Sequence, residues 1–114
     1  MAKTTLSQGE LKRLIANLVN DLEGHRIRVE RVVLYGSYAQ GRPREFSDVD
    51  LAIISPSFAR KGILKIQEEL ATAASKYLSI VEPIGVSPDE FERAERTSFL
   101  GEIRRTGKVV YSAV

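Results

Sequence analysis

Asp48 and Asp50 stand two residues apart at the head of an apolar run, SDVDLAIIS, from Ser47 to Ser55. Side chains two apart on a strand share a face. The two carboxylates would then lie side by side, with Val49, Leu51 and Ile53 turned the other way into a core. Adjacent carboxylates repel, and burial raises the cost of keeping both charged. A divalent cation resolves the conflict, because hard ions such as Mg²⁺ take oxygen ligands and are held by one or two carboxylates plus substrate phosphates. Taken alone, the pair also fits a solvated face or a turn cap, since D-x-D arises often by chance.

Gly36-Ser37 is the second element. It follows a short β-branched run, RVVLY, from Arg31 to Tyr35, and Tyr38-Ala39-Gln40 can form the first turn of a short helix ended by Gly41. Glycine lets backbone approach a ligand closely. N–H groups at a helix start, with the Ser37 hydroxyl, can hold phosphate oxygens. On its own Gly-Ser is equally a plain tight turn, and the chain has neither a G-x-x-x-x-G-K-S/T loop nor a G-x-G-x-x-G. The combination is far more specific. If the two strands pair, a triphosphate on the Gly-Ser turn meets metal ions on the carboxylates, as nucleotidyl transfer requires.

The surrounding pattern supplies the scaffold. Ser7 and Glu10 form an S-x-x-E capping box ahead of Leu11, Leu14, Ile15, Leu18 and Leu22 at helical spacing, and Gly24 supplies a stop. A second long helix is predicted from about Ala59 to Tyr77 on Ile63, Ile66, Leu70, Ala73, Ala74 and Tyr77. Ser79 to Val86 reads as a third strand, placed at an edge or made irregular by Pro83. Ser87-Pro88-Asp89-Glu90 is another capping box, with proline at the first helical position. A last helix is expected from near Thr97 to Gly107, with Arg104 and Arg105 in its final turn, and KVVY is expected to add a short terminal strand. The link from Ser37 to Phe46 is too short for a parallel crossover. The fold class is therefore α+β, a mixed or antiparallel sheet of three or more strands with helices packed on one face.

The sequence has 114 residues, enough for one domain over 1–114. The net charge of +2 carries no concentrated basic patch of the kind that duplex nucleic acid requires. No stretch approaches the roughly 20 apolar residues of a membrane span. MAKTTLSQGE lacks the apolar core of a secretory signal. The chain has no cysteine, which excludes disulfides and thiolate metal sites and suits a cytoplasmic setting. His25, beside Arg26 and Arg28, is expected to be exposed, and Arg60, Lys61 and Lys65 to form a solvated face.

The segment GSYAQGRPREFSDVDLAI resembles the G-S-x-A-R-G-x(n)-S-D-x-D-L signature of the minimal nucleotidyltransferases of the DNA polymerase beta superfamily. The leading helix, the VVLYGS strand and the later IVEPIGVSPDEF segment extend the likeness over nearly the whole chain. The resemblance implies the nucleotidyltransferase fold. It implies that Gly36 and Ser37 hold the phosphates of a nucleoside triphosphate and that Asp48 and Asp50 bind two Mg²⁺ ions. A third carboxylate completes such sites, and Glu82 is the match, as metal ligand or as base for the attacking hydroxyl. Gln40 stands where the family has arginine, so Arg42 or Arg44 would supply the missing cation. Tyr38 and Tyr35 are within the range of a base, with core packing the stronger expectation for Tyr35.

By the same resemblance the expected activity is transfer of a nucleoside monophosphate, AMP from ATP, to a hydroxyl. The acceptor implied is a helical HEPN-type toxin, for which this chain would be the antitoxin; a homodimer is a further expectation. The alternative from a different class is a nucleotide- and partner-binding module without turnover. A third, an enzyme modifying a small molecule such as an aminoglycoside, ranks lower because enzymes of that kind carry extra domains.

Overall fold

The computed structural model describes residues 5–43 and 48–113. The first helix, α1, spans Gln8–Gly24. Its start is set by the predicted capping box: the Glu10 N–H donates to Ser7 Oγ at 3.1 Å, and the Ser7 N–H donates back to Glu10 Oε1 at 2.8 Å. Those two bonds occupy donors that the first turn leaves without intrahelical partners. Ile15, Leu18, Val19 and Leu22 form its buried stripe.

Four strands follow in the sheet order β3-β2-β1-β4. The central pair, β1 (Arg31–Tyr35) and β2 (Val49–Ile54), is antiparallel, as the short link between them dictates. A single helical turn, α2 (Gly36–Ala39), opens that link. Strand β3 (Val81–Val86) runs parallel to β2, because the long connection through a helix allows a crossover. It lies at the sheet edge, where Pro83 withholds no needed ladder donor. Strand β4 (Lys108–Ser112) is antiparallel to β1 on the other edge.

The crossover differs from its predicted form. Ser55 accepts from the Ser57 N–H and starts a 3-10 turn, Pro56–Phe58, which drives the Phe58 ring into the core. Arg60 then takes a left-handed φ of 63°. The helix, α3, therefore starts late, at Ile63, and runs to Ala73, with a separate 3-10 turn over Ser75–Tyr77. Ile66, Leu70, Ala73 and Ala74 are buried as expected, but Ile63, one turn ahead of Ile66, overhangs the core and is 76% exposed.

Period-two alternation divides the sheet into two unlike faces. Val32, Leu34, Val49, Leu51, Ile53 and Val81 pack with α1, α3 and Phe58 into the larger cluster. The long helices thus cover one face, as predicted. The opposite face carries Val33, Ala52, Ile54 and Val86, and it too is capped, by Phe91 of α4 (Pro88–Arg93) and Ile103 of α5 (Phe99–Thr106). Arg104 locks these short helices together by donating through Nη1 to the carbonyls of Phe91 and Glu92 at 2.7 and 2.6 Å. Arg31 adds a 2.8 Å ion pair to Glu92 and lies 5.5 Å over the Phe91 ring. This second layer covers only part of its face. The part it leaves open holds Tyr35, Asp50 and Glu82.

Phe58 is fully buried, and its ring fills the space where a side chain at Gly85 would come within 2.7 Å. Phe58→Ala is expected to lower the unfolding free energy by about 3–5 kcal/mol, through lost burial and an uncollapsed cavity. Denaturant titration with an unchanged slope is the measurement that checks it.

Candidate active site

Three residues meet in one row across three strands. Tyr35 of β1 pairs with Asp50 of β2, and Asp50 pairs with Glu82 of β3. Directly paired residues present their side chains on the same face of a sheet. Tyr35, Asp50 and Glu82 therefore stand side by side at the end of the sheet where the Gly36 turn leaves β1. Asp48, exposed, immediately precedes β2 on the same side of the chain as Asp50.

The Gly36 turn is fitted to Asp50. Gly36 has φ +74°, a conformation that L side chains rarely adopt. A Cβ placed on it would collide with Asp50 Oδ2 and come within 3.2 Å of the Asp50 carboxyl carbon. The backbone of the turn and the carboxylate are thus in direct contact, and only a residue without a side chain permits it. Ser37 is half-buried in the next position. Gly41 (φ +70°) ends the turn, and the Arg42 N–H donates to the Ser37 carbonyl at 3.0 Å, leaving Arg42 exposed beside it. Gln40 caps the C-terminus of α2 and is exposed. Arg44 lies outside the described residues.

The electrostatics reflect the crowding. Burial, then the charges of Glu82 and Asp48, push the Asp50 carboxyl above its ordinary value. Tyr35 is pushed up to about 12, by burial first and then by Asp50 and Glu82, so its phenol stays protonated at any physiological pH. All three sequence-predicted carboxylates therefore act on one point. Among the described residues, no three acidic or histidine side chains stand close enough together to enclose a metal ion as they are placed. The donor set still suits a hard divalent cation: it is made of carboxylate oxygens alone, and the repulsion that raises Asp50 is what a cation relieves. Asp48, Asp50 and Glu82 are the residues that could hold one.

Both tyrosines near the turn pack on core clusters. The Tyr38 hydroxyl accepts from the Leu6 N–H at 3.1 Å, and its ring packs against the larger cluster, tying α2 to the start of α1. Tyr35 packs on the smaller cluster, as expected, and also flanks the carboxylates, meeting Phe99 edge to face with ring centroids 5.8 Å apart. Sequence reasoning passed over Phe99 entirely. Its signal was faint: an aromatic residue directly after a helix cap, one position before the apolar pair Leu100 and Ile103. His25 is exposed, as expected, with Nδ1 2.9 Å from the Asp21 carbonyl. Lys61 is half-buried and paired to Glu69 at 2.9 Å, a tighter position than a solvated face.

Comparison with known proteins follows the same lines. The family described as "Polymerase beta, Nucleotidyltransferase" matches residues 17–113. A protein of Methanocaldococcus jannaschii named "Putative protein adenylyltransferase" is 33% identical over 98 residues, covering 86% of this chain and 89% of that protein. Two solved structures share the fold. A "putative nucleotidyltransferase" from Sulfolobus solfataricus superposes with a TM-score of 0.68 at 15% identity, over 93% of this chain and 84% of the other. A toxin–antitoxin structure with AMP-PNP gives a TM-score of 0.58 at 22% identity, over 89% of this chain and 73% of the other.

Two outcomes test the geometry. Gly36→Ala and Gly41→Ala both carry the strain of a left-handed φ, about 1–2 kcal/mol, but nothing lies within 4 Å of a Cβ on Gly41. Gly36→Ala is expected to be the less stable of the two and to displace Asp50, visible as a lost Mg²⁺ response. Chemical denaturation of both variants with and without Mg²⁺ checks this.

Because the folded state raises the Asp50 pKa, the ionised group works against folding above that raised value, and the penalty vanishes once Asp50 is protonated in both states. Without added metal, Asp50→Asn is therefore expected to have a higher Tm than the parent at neutral pH. The difference should shrink as the pH falls toward 3.8, the ordinary value. Calorimetry across that range reads it.

Proposed function

The chain belongs to the polymerase beta nucleotidyltransferase family, and on that premise we propose that it moves AMP from ATP to a hydroxyl on a partner protein, with Mg²⁺ as cofactor. One observation carries the reading: the Gly36 backbone touches the Asp50 carboxylate, with Glu82 paired beside it. That contact joins a turn able to take phosphate to an acidic row able to take cations.

Each residue then has a task. The Ser37 hydroxyl and the N–H groups of the Gly36-Ser37 turn hold the β- and γ-phosphates. Asp48 and Asp50 hold two Mg²⁺ ions, with Glu82 as third ligand or as base. Arg42, with Arg44, supplies the positive charge that Gln40 lacks. The acceptor oxygen forms a bond to the α-phosphorus, the bond from that phosphorus to the bridging oxygen breaks, and pyrophosphate leaves with the electron pair. The hydroxyl proton passes to Glu82. When bound, Mg²⁺ neutralises phosphate charge and lowers the pKa of the attacking hydroxyl.

A protein acceptor is supported by the name of the Methanocaldococcus relative. A nucleotide and a protein partner are supported by the toxin–antitoxin structure with AMP-PNP. In this reading the chain is the antitoxin, and the acceptor is a helical HEPN-type toxin. A second reading, a module that binds nucleotide and partner without turnover, is favoured by Gln40, which stands exposed at the end of α2 where the resemblance calls for an arginine.

With ATP labelled at the α-phosphate, Mg²⁺ and the product of the neighbouring reading frame, the chain is expected to label that product. Asp48→Asn and Asp50→Asn should abolish labelling. Glu82→Gln should slow it by roughly 10²–10⁴-fold, the usual share of a general base. Full Mg²⁺-dependent labelling by Asp50→Asn overturns the mechanism, and ATP binding without any labelled product selects the module.

A further inference from the structure

We propose that the Phe99 ring, seated against Tyr35 beside the acidic row, is the platform on which the base of the donor nucleotide stacks, an inference that rests on the nucleotidyltransferase reading above. Phe99 is the first residue of α5 and is 60% exposed. The helix anchors itself through Ile103, which is buried, and Leu100, which packs on the smaller cluster, and Phe99 belongs to neither group. Among the described residues its ring contact is Tyr35, met at an interplanar angle of 84°. Of the large apolar side chains exposed among the described residues, Phe99 is the one aromatic.

Its position says what covers it. The row runs Glu82, Asp50, Tyr35 from the β3 edge inward. Glu82 lies on the β3 side of Asp50, away from the Gly36 turn. Tyr35 is on the opposite side of Asp50 and is joined directly to Gly36, so the aromatic pair adjoins the turn that takes the phosphates. The donor nucleotide occupies that side, and its base is the neutral, flat, π-rich group that can lie on an exposed phenyl ring next to three carboxylates. A stacked base draws on ring area and not on hydrogen bonds, so the platform favours purine over pyrimidine triphosphates without reading the base edge.

Titration calorimetry of the full chain, with Mg²⁺ and either ATP or inorganic tripolyphosphate, tests this on the parent, Phe99→Ala, Phe99→Leu and Phe99→Trp. Phe99→Ala and Phe99→Leu are expected to weaken ATP roughly tenfold or more, as loss of a stacking ring does. Tripolyphosphate should bind all four alike, and Phe99→Trp should keep ATP affinity. Phe99→Leu retains an apolar side chain against Tyr35 and stands in if the alanine variant fails to fold. Unchanged ATP affinity in the leucine variant overturns the platform, as does equal weakening of both ligands. Unchanged ATP affinity with slower labelling of a protein acceptor would assign the ring to the acceptor and overturn it too. A parent chain that binds tripolyphosphate as tightly as ATP refutes the platform alone. A parent that binds neither removes the nucleotidyltransferase reading with it.

Discussion

The contact between the Gly36 backbone and the Asp50 carboxylate is the constraint on which the rest of the site depends. It exists because β1 and β2 pair with Tyr35 opposite Asp50, so the residue after the strand must turn directly over that side chain. The turn needs a left-handed φ and has no room for a Cβ. Both demands select glycine, for two separate physical reasons. The antiparallel direction is in turn set by the shortness of the link, and the register by the core, since a slip of one residue would move Leu51 and Ile53 out of it and Asp50 in.

The two sheet faces divide stability and chemistry between them. The face under α1 and α3 is closed, with Val49, Leu51 and Ile53 fully buried. The other is closed only by α4 and α5 over Val33, Ala52, Ile54 and Val86. A carboxylate row can persist on that face only where water or a cation reaches it. The raised pKa of Asp50 shows that burial there already opposes charge. Longer C-terminal helices would bury the row and force protonation; shorter ones would uncover Phe91 and unseat Arg31. The bonds from Arg104 to the end of α4 fix the second layer at this intermediate extent.

Much of this was legible in the residues. The capping box at Ser7, the bounds of β1, the antiparallel central pair and the edge position of β3 follow from local rules that the structure obeys. The site was legible in part. Period-two alternation states which residues of one strand share a face, but not how a strand aligns with its neighbour. Asp48 and Asp50 could be grouped from sequence because they stand two residues apart at the head of one strand. Glu82 came into the group only through the family resemblance, and the alternation of its own strand could not align it or Tyr35 with Asp50, because that alignment arises from pairing across β1, β2 and β3. The same gap hid the second helical layer, whose helices contribute single buried side chains, Phe91 and Ile103, too few to show a period. Ile63 failed for another reason: the Phe58 turn consumed the chain that would have placed it over the core.

Tyr35 illustrates how one position serves both faces of the argument. As the last residue of β1 it completes the ladder with Asp50, and as a ring it joins the small apolar cluster. A charged side chain there would either cancel the acidic row or add to its repulsion. An aliphatic one would bury Asp50 further and raise its pKa again. A phenol covers the strand end with carbon and keeps a neutral hydroxyl, since burial first, and then the charges of Asp50 and Glu82, hold it protonated. The edge-to-face contact with Phe99 then fixes the ring, and the acidic row gains a rigid apolar wall on the side of the Gly36 turn. Such a wall adds no further negative charge to a row whose members already repel one another.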